Sequence, residues 1–224
     1  MLNSKITIDP LLVIKSISYR LRSKEDPYIP SFHRLKCIFV HIPRTGGISV
    51  EKALFGEKVN HHRAVEYLYY KPLLFRRYFS FTFVRNPWDR LVSAFFFLKQ
   101  GGRNQFDKSW SDLYLSDIND FSQFLLKLSE DKSFRNIVTR WIHFQPQYMY
   151  ITDKWNNIIV DFVGRFENLM DDFRIIMDRL GIITTLPHLN RSRHENYRTY
   201  YDDDTEEIVR TLYQKDIELL GYEW

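Results

Sequence analysis

Cysteine occurs once in these 224 residues, at Cys37, so no disulfide can close within the chain. A small secreted scaffold stapled by disulfides is therefore excluded. Cys37 lies in an apolar run and reads as a small buried hydrophobe. Long hydrophobic runs are also missing. No stretch approaches the roughly 20 apolar residues that span a bilayer, and Leu11–Ile14, closed by Lys15, is too short for a signal-peptide core. Nor does charge of one sign dominate: 32 Lys and Arg stand against 28 Asp and Glu, a net +4. That mild excess suits an anionic ligand, but it is dispersed and forms no basic stripe, which argues against nucleic acid. There is no G-x-x-x-x-G-K-[ST] run, hence no Walker A loop. No Cys or His set has zinc-ligand spacing, so no metal is expected. Repeats and low-complexity linkers are absent. These absences set the expectation of a cytoplasmic protein with no transmembrane segment.

What is present is a globular composition, 44% hydrophobic and 17% aromatic, of a length that suits one α/β domain. Residues 1–35 read as a leader carrying a short helix over 11–21, broken at Pro27 and Pro30. Residues 36–224 read as the single main domain. Compact apolar runs at 37–42, 79–84 and 158–164 predict buried strands. Helices are predicted over 49–55, 64–70 (stopped near Pro72), 88–98, 120–128, from 168 or 171 to 180, and 204–220, with a weaker one over 135–144. Residues 101–107 and 184–204 read as polar loops. Strands alternating with helices imply a largely parallel sheet with helices on both faces.

Two segments carry the chemistry. In the first, a strand runs into Pro43-Arg44-Thr45-Gly46-Gly47-Ile48-Ser49 and then a helix. A glycine turn at a helix N-terminus offers unpaired N–H groups and the positive end of the helix dipole to phosphate or sulfate. Arg44 adds a fixed charge with a fork of donors, and Thr45 and Ser49 add hydroxyls. An ordinary strand–turn–helix connection would look similar. In the second segment, a strand ends in Arg85-Asn86-Pro87-Trp88-Asp89-Arg90, with Ser93 in the helix that follows. Arg85 and Ser93 are placed to converge on one phosphate at a strand C-terminus, where open α/β sheets bind ligands. Alternatively, Arg85 and Asp89 form a structural pair and Ser93 is a small packing residue. A donor with phosphates at both ends needs two such sites.

These residues resemble the PAPS-dependent sulfotransferases (PAPS is 3′-phosphoadenosine-5′-phosphosulfate), in particular the group of Golgi carbohydrate sulfotransferases and bacterial relatives. Residues 38–49, IFVHIPRTGGIS, are similar to the 5′-phosphosulfate loop of that family, and residues 81–98, FTFVRNPWDRLVSAFFFL, to its 3′-phosphate segment. The later stretches VDFVGRFENL (160–169), PHLNRSRHENYRTYY (187–201) and IVRTLYQKDIELLGY (208–222) resemble further parts of the same group. The resemblance implies a three-layer α/β fold with a P-loop-kinase-like parallel sheet and metal-independent sulfuryl transfer to a glycan hydroxyl. It implies that Arg44, Thr45, Gly46, Gly47, Ile48 and Ser49 hold the 5′-phosphosulfate, and that Arg85 and Ser93 hold the 3′-phosphate. Many members carry Lys where this chain has Arg44. The resemblance also raises the Golgi lumen as the alternative compartment, since a chain trimmed of an anchor would look the same.

Sulfuryl transfer needs a general base, and His is suited to it near neutral pH. By position in the family His61 is favoured, in VNHHRAVEY, with His62 second; an idle loop pair is the bland alternative. His41 reads as structural. Trp141, His143, Gln145 and Tyr148 form a polar-aromatic cluster suited equally to sugar or adenine contact and to core packing. Arg165-Phe166-Glu167 reads as a structural corner. Arg193 and Arg198 lie in the long polar loop, which reads equally as a solvated surface loop or as a lid that closes over donor phosphates or an anionic acceptor. Competing readings are a nucleotide-dependent phosphotransferase, which would need ATP, Mg²⁺ and the missing Walker loop, and a non-catalytic PAPS- or glycan-binding module.

Overall fold

Three short strands form the centre: β1 (Cys37–Val40), β2 (Phe79–Val84) and β3 (Phe162–Arg165). They are seen in a computed structural model that describes residues 10–22, 25–187 and 196–224. The sheet is parallel throughout, in the order β1-β2-β3. Every residue of β1 is buried, as expected of a parallel strand covered on both faces. The register sets Phe39 beside Phe81 and Phe81 beside Phe162, on one face, and Val40, Thr82 and Val163 on the other.

In chain order the helices are α1 (Pro10–Arg22), α2 (Pro30–Leu35), α3 (Gly47–Val50), α4 (Ala64–Tyr70), α5 (Pro72–Arg77), α6 (Pro87–Lys99) and α7 (Gln105–Tyr114). Then come α8 (Phe121–Glu130), α9 (Lys132–Arg140), α10 (Tyr148–Ile151), α11 (Leu169–Leu180), α12 (Asp203–Leu212) and α13 (Gln214–Leu220). On the first face of the sheet Phe39 stacks with Phe55, just after α3, and Gly164 abuts Asp172 of α11. On the second, Arg165 reaches the Leu220 carbonyl of α13. Helices thus flank both faces. Tyr28 and Phe32 belong to the core around the sheet, and Tyr19 of α1 donates to Glu66 of α4. A second apolar cluster lies among α6, α8, α9 and α12 around Trp88, Phe95, Phe124, Phe134 and Val209. Among the described residues no helix is long and apolar enough to cross a membrane.

Several boundaries differ from expectation, each for a local reason. Pro30 and Pro72, expected as breaks, occupy first-turn positions and start α2 and α5, where a missing N–H costs nothing. Asn104 caps α7 through Asp107 N, so the expected loop over 101–107 already contains a helix start. The C-terminal helix is two helices, separated at Tyr213, whose hydroxyl is tied to Phe144 O at 2.7 Å. β3 begins only at Phe162; Ile158 makes a single antiparallel bridge to Thr152. Asp161 caps the start of β2 instead, accepting from Ser80 N and Oγ at 2.8 Å each. After α3 the helix widens to a π-turn over Glu51–Phe55, closed by Gly56 N to Glu51 O, which turns Glu51 inward.

A Cβ on Gly164 would lie 2.6 Å from Phe83 Cε1 and 3.2 Å from Asp172 Cβ. Gly164→Ala is therefore expected to lower stability by about 1–3 kcal/mol through overpacking. Urea unfolding measures this; an unchanged midpoint would mean that β3 and α11 separate easily.

Candidate active site

Because β1 and β2 are parallel neighbours, the loops after Val40 and Val84 leave the sheet side by side. The first loop turns through two left-handed residues, Arg44 (φ 71°) and Gly46 (φ 82°). Gly46 precedes α3 without a side-chain cap, leaving the N-terminal amides of α3 uncapped by a side chain. Gly47 is obligatory here: a Cβ would fall 2.2 Å from His41 Cδ2 and 2.3 Å from His41 Nε2. Thr45 is fully buried and spends its hydroxyl proton on Ile42 O at 2.9 Å, so it holds the loop's own backbone. Ile48 is half-buried and Ser49 is buried.

The second loop brings Arg85 under the first. Arg85 Nε donates to Asp89 at 2.6 Å, its Nη1 donates to Arg44 O at 3.2 Å, and its guanidinium lies 4.1 Å from the Phe166 ring centroid. Its backbone N–H and C=O are both held by the side chain of Gln147, which is fully buried. Asn86 caps α6, and its backbone N donates to Glu167. Arg44 crosses to α6: its Nε and Nη2 donate to Ser93 Oγ at 3.1 and 2.8 Å, and its guanidinium lies 4.4 Å from the Phe97 ring centroid. Arg90, 2% exposed, donates to Pro43 O and Gln145 O. Burial, then the charges of Arg85 and Arg90, pull the Arg44 pKa down to about 10. Arg44, Arg85 and Ser93, expected to act together, are thus brought together, and the Arg85–Asp89 pair is present as well.

Histidines border this cationic spot. His61 Nδ1 lies 2.8 Å from His41 O; a carbonyl only accepts, so Nδ1 carries the proton and Nε2 keeps its lone pair. The His41 and His61 rings are 4.3 Å apart. Burial, then the neighbouring His41, push the His61 pKa down to about 3. His41 Nδ1 is 2.8 Å from Glu51, which also accepts from Val59 N at 2.9 Å. Glu51 thereby ties the helix after the glycine turn to the loop that carries His61. His62 instead faces Glu66 at 3.7 Å, on the first turn of α4.

Sequence reasoning did not single out Arg90, Gln147, Asp107 or Asp216. His143 Nε2 pairs with Asp107 at 3.0 Å, and the His143 ring packs edge-on against Phe97, the same ring that carries Arg44. Asp107 is 36 residues away, so no local pattern could signal the pair. Asp216 is fully buried; burial raises its pKa to about 6 although it accepts from Gln147 N and Tyr148 N. Of the polar-aromatic cluster, half-buried Trp141 stacks on Trp110 at 5.1 Å, and half-buried Gln145 donates to Arg140 O and accepts from Arg63 Nη2. Arg198 is exposed beside Trp224 and Tyr197, and the Tyr197 hydroxyl meets Asn86 of the second loop. Arg193 lies outside the described residues.

The model of the sulfotransferase family matches residues 14–223. Over 129 residues the chain is 31% identical to an uncharacterized protein of Archaeoglobus fulgidus, covering 56% of this chain and 87% of that protein. No solved structure matches the chain.

The depressed His61 pKa fixes the sign of a pH effect. Below the ordinary histidine value near 6.5 the unfolded chain takes a proton that folded His61 refuses until about pH 3. Stability is therefore expected to fall as pH drops from about 6.5 towards 4, and His61→Gln should reduce that fall. Urea midpoints across this range measure it; parallel curves for the two proteins would contradict the burial of His61.

Proposed function

Because the chain belongs to the sulfotransferase family, we propose that it transfers a sulfuryl group from PAPS to a hydroxyl of a carbohydrate acceptor. The observation that carries this reading is the meeting of two strand-end loops. Arg44 from the β1 loop contacts Ser93 of α6, and Arg85 at the end of β2 contacts Arg44 O. A donor phosphorylated at both ends of its nucleoside calls for cations and hydroxyls from two segments. The donor supplies a sulfuryl group activated by its bond to phosphate. Residues Gly46, Gly47, Ile48 and Ser49 line its 5′ end with backbone N–H groups and a hydroxyl, while Arg85 and Ser93 bind the 3′-phosphate. Thr45 keeps the loop in shape through Ile42 O.

His61 is the base in this reading. Its Nδ1 proton is committed to His41 O, so Nε2 receives the proton of the acceptor hydroxyl as that oxygen attacks sulfur, the bond from sulfur to the 5′-phosphate oxygen breaks, and 3′,5′-adenosine diphosphate leaves with the negative charge facing the first loop. The low pKa keeps Nε2 unprotonated throughout the neutral range but makes it a weak proton acceptor, so the base role calls for bound donor anions to raise it. His62, facing Glu66, steadies the start of α4. Arg198, beside the second loop, contacts the nucleotide or an anionic acceptor.

Calorimetric titration with 3′,5′-adenosine diphosphate, the desulfated donor, is expected to give tight binding that Arg85→Ala weakens by about tenfold or more. ATP with Mg²⁺ alone binding would turn the reading to a phosphotransferase. His61→Ala should leave that binding intact and lower PAPS-dependent sulfation of a glycan panel by about 10²–10⁴-fold. Equal rates for wild type and His61→Ala would remove His61 from the mechanism.

A further inference from the structure

The helix α1 packs against the usual pattern of a surface helix. On the side turned to the protein, Ser16 is buried and donates to Tyr70 O at 3.5 Å, and Tyr19 donates to Glu66 of α4 at 3.0 Å. On the side turned away, Ile14, Ile17 and Leu21 are 64%, 49% and 84% exposed. Their spacing, i, i+3 and i+7, sets them in one stripe along the helix. A helix that only covers a core would carry such a stripe inward.

Cations border the stripe. The same helical spacing puts Arg20 on one side of it and Lys15 and Arg22 on the other, and all three are exposed. The helix contains no Asp or Glu. Its neighbour α5, which also lacks acidic residues, adds exposed Leu73, Arg76 and Arg77. Of the acids close by in the chain or in α4, Glu66 is bonded to Tyr19 and to Arg63 N, Asp26 to Lys71, and Glu25 is exposed beyond the end of α1.

We propose that α1 is a docking surface for an anionic lipid membrane. The helix lies in the plane of the surface, Ile14, Ile17 and Leu21 enter the boundary between headgroups and acyl chains, and Lys15, Arg20 and Arg22 meet the lipid phosphates. Charge chooses this occupant over a second copy of the chain. A twofold interface sets the same patch against itself, so the cations of both copies would meet with no carboxylate in either helix to balance them. A stripe of three side chains also falls short of the roughly 800 Å² per partner of a stable protein interface. A lipid surface accepts a shallow stripe and supplies negative charge on both sides of it. The inference stands apart from the donor site, to which α1 contributes no residue.

Co-sedimentation of the full chain with vesicles of equimolar phosphatidylcholine and phosphatidylglycerol, beside vesicles of phosphatidylcholine alone, tests the proposal. Wild type should bind the anionic vesicles about 100-fold more strongly, at about fivefold for each of the three cations, and added salt should weaken that binding. Two double variants, Ile17→Ser with Leu21→Ser and Arg20→Gln with Arg22→Gln, alter only exposed side chains, so both should melt like wild type. The first should lose about tenfold or more of the binding to anionic vesicles, the second about 25-fold. No binding of wild type to anionic vesicles would overturn the proposal, as would equal binding to both kinds of vesicle. Full binding by the Ile17→Ser, Leu21→Ser variant would also overturn it, because overall positive charge would then be acting without the stripe. Dimerisation of wild type without vesicle binding, abolished in that same variant, would assign the stripe to a second copy instead.

Discussion

The packing of half-buried Arg44 with buried Arg85 and Arg90 in one small volume is the constraint around which the site is built. Burying cations is expensive unless their donors are satisfied. Here Asp89 pairs with Arg85, Asp107 acts on Arg44 and Asp216 lies in the field of Arg90, while the other partners orient without neutralising. Arg90 donates to the Pro43 and Gln145 carbonyls, Arg85 to the Arg44 carbonyl as well as to Asp89, and Arg44 to a serine hydroxyl. Aromatic faces, Phe97 and Phe166, carry two of the guanidiniums. Carbonyls, rings and Asp89 hold the arginines in place as a preorganised cationic group. The same bonds lock the first loop onto α6, so preorganisation of the site and stability of the sheet edge share one set of contacts.

The acceptor side is tied into this frame through Glu51. Its carboxylate joins the π-turn after α3 to His41 and to the loop that presents His61. The tight packing of His41 on Gly47 links the proton-accepting side of the site directly to the glycine turn. A shift at either loop is thereby felt at the other, because His41 touches both.

β1 and β2 were legible from sequence, since a compact apolar run closed by a turn reads as a buried strand. The two loops were legible as a pair through the family resemblance of residues 38–49 and 81–98, since a glycine turn or a strand-end arginine taken alone has ordinary structural uses as well. The start of β3 was not. Ile158, Ile159 and Val160 are apolar, yet Ile159 and Val160 only pack against the edge of the core and Ile158 stays exposed, bridged to Thr152, instead of pairing with β2. Pro30 and Pro72 read as stops because proline alone does not say whether a helix ends before it or starts upon it. The contacts that organise the site were also hidden: Arg90 to Pro43, Gln147 to Arg85 and His143 to Asp107 span 47, 62 and 36 residues. Such pairs appear only once the chain has folded.

Phosphorus NMR of 3′,5′-adenosine diphosphate, recorded as the protein is added, tests the account most directly. It reports the two ends of the ligand separately. If two strand-end loops each hold a phosphate, both resonances shift on binding, and Arg85→Ala abolishes the shift of the 3′ resonance first. Movement of the 5′ resonance alone, with the 3′ resonance unaffected, would contradict the account, because the buried arginines would then have no phosphate to meet.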